Sequence, residues 1–258
     1  MLFKRNKNGI AIHESTAFEK MYIAGKLASK TLTYLSKFVV SGISTLEIDT
    51  LCEKFIRDNG GIAACIGFCG YKHSICISIN EVVCHGVPSK NVILKDGDIV
   101  NLDVVVAVDG WHGDTSRTFY VGDVSKEKQN LVDVAFNAMW AGINVVKIDA
   151  TFNDIGVAIE NYVNQNSCFS VIPNYCGHGI GVNLHDKPHV LHYDSGSKIK
   201  IKPGMFFTIE PIISAGSIKS RTLSDEWTVV SVDGAATAQF EHTIGVGYDG
   251  EIHLFTKE

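Results

Sequence analysis

Asp98-Ile-Val-Asn-Leu-Asp103-Val-Val-Val-Ala-Val108-Asp-Gly-Trp-His-Gly-Asp114 reads as two strands and the turn between them. Val100, Leu102, Val104 and Val106 fall on one face of the first strand, and Asn101, Asp103 and Val105 on the other, because successive side chains of a strand alternate. Asp109-Gly110 has the residue types of a two-residue hairpin turn. That turn sets Val108 opposite Trp111 and Val105 opposite Asp114. Asp103 and Asp114 then become diagonal neighbours on one face, roughly 7–8 Å apart at Cα. Two like charges that close repel unless a cation lies between them. The competing reading of this stretch alone is a solvated outer face, and neither Trp111 nor His112 decides between the two.

Thr16 to Phe38 carries Phe18, Met21, Leu27, Ala28, Leu32 and Leu35 near the helical period. Ser44-Thr-Leu-Glu47 has capping-box form and opens a second helix that ends near Gly60-Gly61. A third helix is expected from near Ser125 to Lys147, and a fourth from Thr151-x-x-Asp154 to about Asn166. Strands are expected over Ile75–Ile79, Ile99–Val106, Trp111–Val121, Met205–Glu210, Trp227–Val232 and Ala238–Val246. Helices and strands arrive in mixed blocks, which predicts an α+β fold with a helix layer on a mixed sheet. The order helices, strands, helices, strands hints at two related halves, although the residues themselves do not repeat.

Composition narrows the class. A chain of 258 residues fits one large domain or two small ones. It buries roughly 70–75% of its unfolded surface and needs no disulfide staples. With 45% hydrophobic residues and five prolines, disorder is not expected. A net charge of −5 argues against a phosphate-binding surface and hence against nucleic acid. No apolar run reaches the 18 or so residues of a membrane span, and no apolar core follows Lys4, Arg5 and Lys7 as a secretory signal requires. The seven cysteines are odd in number and contain no C-x-x-C pair, so reduced thiols in the cytoplasm are expected.

A second pair of acids joins the first. Glu210 ends the apolar run Met205-Phe-Phe-Thr-Ile before Pro211, and Glu241 sits among apolar residues of the last expected strand. Glu is rarely buried unless paired or metal-bound. Each alone suits a salt bridge; two of them with two strand Asp favour a shared site. Tyr175-Cys-Gly-His178-Gly-Ile-Gly181 supplies a nitrogen ligand between glycines that permit a sharp turn and close approach. Its G-x-G-x-G spacing does not fit a phosphate loop. His85 and His185 lie on turns and gain weight from the site around them. His13, His73, His189, His192 and His253 are read as structural or surface residues, and His242 as facing away from Glu241. Asp103, Asp114, Glu210 and Glu241 carry four negative charges, which two divalent cations balance. Oxygen ligands with one imidazole suit Mn²⁺, Fe²⁺, Co²⁺ or Zn²⁺, and paired metals are a hydrolytic device.

Asn80-Glu-Val-Val-Cys-His85-Gly-Val-Pro, Asp103, His112-Gly-Asp114-Thr-Ser, Cys176-Gly-His178-Gly-Ile-Gly, Phe207-Thr-Ile-Glu210-Pro and Gln239-Phe-Glu241-His-Thr together resemble type I methionine aminopeptidases, in order, from about Phe18 to Leu254. The resemblance implies the pita-bread α+β fold: a mixed, mostly antiparallel curved sheet covered by helices, with two pseudo-symmetric halves. One catalytic domain would span residues 1–258, with 1–12 as a short N-terminal extension. A dinuclear metal centre is implied between the halves. Asp103 would chelate one ion, His178 and Glu210 the other, and Asp114 and Glu241 would bridge both. His85 and His185 would bind substrate and steady the tetrahedral intermediate, and Glu210 counts among the catalytic residues as well. Cys65, Phe68, Tyr71, Cys76 and Trp227 would form the methionine pocket. Asn80, Val82 and Thr237 align with a monovalent-cation site for Na⁺ or K⁺.

Three departures bear on the pocket: Phe68 where Tyr is common, Leu184 where an aromatic is common, and Lys72 where Pro is usual. Glu210 follows His178 too closely for the helical insertion of type II enzymes, and the N-terminus is short for the zinc-binding extension of eukaryotic type I enzymes. The implied activity is removal of the initiator methionine from new polypeptides when the second residue is small. The implied partners are N-terminal peptides of newly made proteins, with ribosome association compatible with that role. A cytoplasmic monomer without membrane or nucleic-acid contact is expected. The rival readings are a proline-specific peptidase of the same fold and a pita-bread peptide-binding protein that has lost catalysis.

Overall fold

The Asp109-Gly110 turn sets the register of the first sheet. Both residues have positive φ, 48° and 78°, as a turn matched to strand twist requires. Strands Ile99–Val108 and Trp111–Tyr120 therefore pair with Val108 opposite Trp111, Val105 opposite Asp114 and Asp103 opposite Ser116. Cys76–Ile79 adds on the other side, with Cys76 opposite Asp103. The structure, a computed structural model, describes residues 3–257; residues 1 and 2 of the expected N-terminal extension lie outside it.

Two helix pairs each cover one part of the sheet system. Helices α1 (Thr16–Leu35) and α2 (Thr45–Asp58) lay Leu27, Leu32, Ile48 and Ile56 on Val100, Leu102, Val104 and Val106. Helices α3 (Lys126–Asn144) and α4 (Phe152–Asn166) lay Leu131, Met139, Ile155 and Ile159 on Phe207, Ile209 and Ile244. The second sheet runs in the order Asp186–Val190, Gly177–Gly179, Phe206–Ile209, His242–Val246, Ile252–Leu254. Each of these pairings is antiparallel. Apolar side chains thus face the helices, and the opposite faces of both sheets are left for chemistry.

Capping matches the sequence. Ser44 Oγ accepts from Glu47 N while Glu47 Oε2 accepts from Ser44 N, and Thr151 and Asp154 repeat the exchange. The first helix passes into a 3₁₀ turn at Ser36–Phe38 rather than running as α-helix to Phe38. The third ends at Asn144, short of Lys147, and Trp227–Val232 narrows to Val229–Ser231. The expected strand Ala238–Val246 is two strands, Thr237–Gln239 and His242–Val246, interrupted at Phe240-Glu241.

The reason for that interruption is the seam between the halves. Glu241 N donates to Ser116 O at 3.1 Å, and Thr115 Oγ1 donates to Glu241 O at 2.7 Å. Thr243 Oγ1 donates to Asp114 O at 2.6 Å, and Thr118 Oγ1 to Gln239 O at 2.7 Å. The backbones bearing Asp114 and Glu241 are therefore tied directly to one another.

Helix α1 crosses this seam at glycines. A Cβ on Gly113 would lie 2.5 Å from both Gly25 Cα and Gly25 N, and backbone cannot yield as a flexible side chain can. Gly113→Ala is expected to cost about 1–3 kcal/mol through overpacking. Thermal unfolding checks this; an unchanged midpoint would show that the helix stands off further than the structure places it.

Candidate metal and substrate site

Seven strand-end or strand-borne side chains converge where the sheets meet. Asp103 and Asp114 come from the first hairpin and His178 from Gly177–Gly179. Glu210 directly follows Phe206–Ile209, and Glu241 directly precedes His242–Val246. His85 follows Val82–Cys84, and His185 precedes Asp186–Val190. All seven line a cavity of about 180 Å³, together with Cys65, Phe68, Tyr71, Cys76 and Trp227. The twelve site residues expected from sequence thus share one cavity, completed by Val105 and Leu184.

His178 lies on a strand, not on the sharp turn expected of its glycines. Gly177 and Gly179 are required for another reason: a Cβ there would meet Thr208 O at 2.2 Å and Lys187 O at 2.0 Å. Only glycine lets both neighbouring strands close on this one. The imidazole Nδ1 lies 3.1 Å from Gly179 O, a geometry in which Nδ1–H donates and Nε2 keeps its lone pair. Nε2 then faces Asp114 Oδ2 at 3.5 Å and Glu210 Oε1 at 3.6 Å. Burial lowers the His178 pKa to about 4, so the ring is neutral at pH 7.

The carboxylates are in an environment that disfavours their charge. Burial, and then the charge of Asp114, holds Asp103 and Glu210 well above the usual range. Burial followed by Asp114, Glu210 and Asp103 does the same to Glu241. Asp114 itself is pushed up to about 7 by burial. Ligand atoms of Asp114, His178 and Glu241 all lie within 4.8 Å of one another. Glu241 is 2% exposed, and its Oε1 has no hydrogen-bond partner among the described residues. Carboxylate oxygens of Asp114 and Glu210 face the lone pair of His178 Nε2, and the donor set is oxygen-rich with one imidazole. That arrangement fits divalent cations. Asp103 and Glu210 border the same cavity outside the tight triplet, Glu210 with its Oε1 3.6 Å from His178 Nε2.

Residues not singled out from sequence hold these ligands in place. Thr208 Oγ1 accepts from His178 N at 2.9 Å and donates to Glu210 Oε1 at 2.6 Å, which links two candidate ligands through one hydroxyl. Gln239 Nε2 lies 3.4 Å from Glu210 Oε2. Buried His192 accepts from Glu210 N at 3.2 Å, so its structural role is to fix the backbone of a site residue. Thr208 shares a strand face with Glu210 by simple alternation, a signal present in the sequence. His192 carries no such signal.

The cavity's other wall is apolar. Cys65, Tyr71, Cys76, Val105 and Leu184 form a buried cluster with Trp227 against it. Tyr71 meets Trp227 edge-on at 4.8 Å, and its hydroxyl donates to Ile75 O. Burial raises the Cys65 and Cys76 thiol pKa values, so both stay protonated. All seven cysteines are free thiols. Phe68, 37% exposed, forms the rim and packs 4.9 Å from the His185 ring. Of the three departures, Phe68 and Leu184 line the cavity, whereas Lys72 is exposed.

The remaining histidines lie elsewhere. His13 is buried and stacks on Phe206 at 4.4 Å, His73 pairs with Asp49 at 2.8 Å, and His242 contacts Thr256. Asn80, Val82 and Thr237 do come together: Thr237 N donates to Asn80 O, and the Thr237 hydroxyl lies 3.1 Å from Val82 O. Lys128 Nζ donates to Asn80 Oδ1 at 2.7 Å. No helix among the described residues is long and apolar enough to cross a membrane.

Comparison with known proteins places this geometry. The model of metallopeptidase family M24 matches residues 19–247. A methionine aminopeptidase of Rickettsia prowazekii is 47% identical over 249 residues, covering 96% of this chain and 95% of that protein. One from Escherichia coli K12 is 45% identical over 243 residues, covering 93% and 92%. The crystal structure of the Rickettsia prowazekii enzyme superimposes with a TM-score of 0.93 at 46% identity, over 96% of this chain and 100% of that one. The Xaa-Pro dipeptidase of Bacillus anthracis, at 21% identity, shares the fold alone (TM-score 0.75), and the match covers 62% of its length.

Proposed function

Since this chain belongs to the methionine aminopeptidases of metallopeptidase family M24 and removes the initiator methionine, we propose how its residues divide that work. Asp103, Asp114, His178, Glu210 and Glu241 would hold two divalent ions. Co²⁺, Mn²⁺, Fe²⁺ and Zn²⁺ all suit this ligand set. When bound, such ions lower the pKa of a water and polarise a carbonyl. The protein's own groups do the rest. The apolar wall of Cys65, Tyr71, Cys76 and Trp227 seats the methionine side chain, whose thioether favours aromatic contact. His85 and His185 bind the scissile amide from the open side and steady its developing oxyanion. Glu210, held by Thr208 and Gln239, takes the proton lost by the attacking water and returns it to the leaving nitrogen as the C–N bond breaks. The rest of the peptide leaves past Tyr175 and Cys176, along an outer recess of about 510 Å³.

The observation that carries this reading is the adjacency of the acidic cluster and the apolar slot within one cavity. A carboxylate cluster alone supports hydrolysis of many bonds; the slot beside it selects the residue. The substrates are N-terminal peptides of newly made proteins with a small second residue. Work on nascent chains near the ribosome in the cytoplasm, as a monomer, is part of the same proposal. So is a Na⁺ or K⁺ at Asn80, Val82 and Thr237. No observation favours a proline-specific reading, because the likeness to the Xaa-Pro dipeptidase is one of fold alone.

Two measurements test it. Among peptides beginning Met-Ala, Met-Leu, Leu-Ala and Ala-Pro, Met-Ala should give the highest kcat/KM. Losing the thioether fit is expected to cost Leu-Ala about 10–200-fold. Comparable turnover of Ala-Pro would refute the assignment of the slot. Chelation should abolish turnover while circular dichroism stays native, since the core does not depend on the ions for its burial. Activity should return with Co²⁺ or Mn²⁺, and full turnover by demonstrably metal-free protein would defeat the dinuclear proposal.

A further inference from the structure

His185 has a weak hold on its own orientation. It sits at the exposed mouth of the cavity, 4.0 Å from the His178 ring and 4.9 Å from Phe68. Its ring makes no hydrogen bond among the described residues. Beyond these two ring contacts, its placement depends on the backbone of the loop that carries it. That loop is braced at its next residue. Asp186 Oδ1 accepts from Lys187 N at 2.7 Å, and Oδ2 accepts from Asn183 Nδ2 at 3.1 Å.

The strongest brace comes from far away in sequence. Phe3–Arg5 and Ala11–His13 form an antiparallel hairpin. Its base is anchored in the core: His13 stacks on Phe206, His13 N donates to Gly204 O, and Tyr248 Oη donates to His13 O. Near its other end, the Arg5 guanidinium grips Asp186 with two parallel bonds, of 2.9 Å to Oδ1 and 2.6 Å to Oδ2. A third bond, to Gly9 O at 2.6 Å, holds the guanidinium within the hairpin. A bidentate fork fixes the plane of a carboxylate as well as its distance. An isolated surface pair contributes little, but this one is bidentate and its Asp186 side chain is only 16% exposed.

We propose that Arg5 is a positioning residue for hydrolysis: the amino-terminal hairpin straps the start of the strand Asp186–Val190 through Asp186 and so holds the His185 imidazole, on the residue before it, over the reacting amide. The inference rests on the substrate-binding role given to His185 above. It assigns a catalytic purpose to a segment that sequence marks only as a short extension. Misplacing a group by a fraction of its reach lowers the rate without removing the group.

The test is a cycle of Arg5→Met and His185→Ala in the metal-loaded full chain, with Arg5→Lys as the conservative variant. With a Met-Ala peptide, Arg5→Met should lower kcat about 5–10-fold and leave KM within about twofold, a modest share of the full effect that misplacement can have. Arg5→Lys should recover part of the loss, since it restores the charge but not the fork. Hydrogen exchange at the Lys187 amide should quicken in Arg5→Met while the helices stay protected. In the His185→Ala background, Arg5→Met should have no further effect, because both changes remove the same contribution. Equal losses in both backgrounds, a loss confined to KM, or wild-type kcat in Arg5→Met while His185→Ala is impaired would each overturn the strap alone. Wild-type kcat in His185→Ala would instead overturn the role of His185 and the strap with it.

Discussion

Asp114→Asn should strip the enzyme of metal and lower turnover by about 10³-fold or more, at the severe end of what removing one electrostatic group costs a site. The size follows from position. Asp114 is 4% exposed, faces His178 Nε2 at 3.5 Å, and belongs to the only triplet of ligand atoms within 4.8 Å found among the described residues. An amide keeps the shape but loses a negative charge and turns N–H donors toward a cation. Stability should move the other way. In the metal-free protein the buried carboxyls repel one another, and Asp114 is pushed up to about 7 by burial.

The sign follows from that shift. A carboxyl whose folded pKa exceeds its unfolded value near 4 binds more protons folded than unfolded. Metal-free wild type therefore gains stability as the pH falls from about 7 toward 4, and loses it as the pH rises. Metal-free Asp114→Asn should unfold at or above the wild-type temperature at pH 8, with a flatter pH dependence, and added Mn²⁺ should no longer raise its midpoint as mass action does for wild type. Metal analysis and melting curves at pH 5 and 8 check both halves. A variant that kept two ions per chain would remove Asp114 from the bridging role.

How far this site was legible in the sequence depends on how local its causes are. Asp109-Gly110 is a two-residue signal, and it fixed the diagonal placement of Asp103 and Asp114 because a hairpin register propagates from its turn. The capping boxes at Ser44 and Thr151 are equally local. The apolar neighbours of Glu241 predict a buried acid, but the same run predicts an unbroken strand through it. The break at Phe240-Glu241 arises because Glu241 N bonds to Ser116 O across the seam, and no window of sequence contains both partners. The glycines around His178 predict a sharp turn, yet they admit the Thr208 and Lys187 carbonyls from flanking strands. Arg5 and Asp186 stand 181 residues apart, so their pairing had no local signal at all. The candidate ligands can thus be named from residue type and spacing, whereas the groups that brace them belong to the tertiary fold.

The same distinction between ligand and brace separates His85 from the acids. His85 has a φ of 55° and is half-buried, with Tyr175 at 5.9 Å and Trp227 at 6.2 Å. Burial lowers its pKa, so at pH 7 the ring is neutral, with one N–H to donate and one lone pair to accept. It lines the cavity on the side of Tyr175 and Trp227, and the proposed division of roles gives it to the amide rather than to the ions. His85→Ala should therefore lower kcat by about 10²–10⁴-fold, the range for a positioned donor or acid, and leave the metal content at the wild-type value. His85 already bears the cost of a left-handed φ, on the order of 1 kcal/mol for a residue with a Cβ, and alanine keeps that cost. His85→Asn serves as a second variant, because Asn tolerates this backbone region and cannot exchange a proton as imidazole does. Both variants should show the same retained metal and depressed kcat. If either lost metal as readily as Asp114→Asn, His85 would have to be counted a ligand, and the division between the groups that hold the ions and those that hold the amide would be wrong.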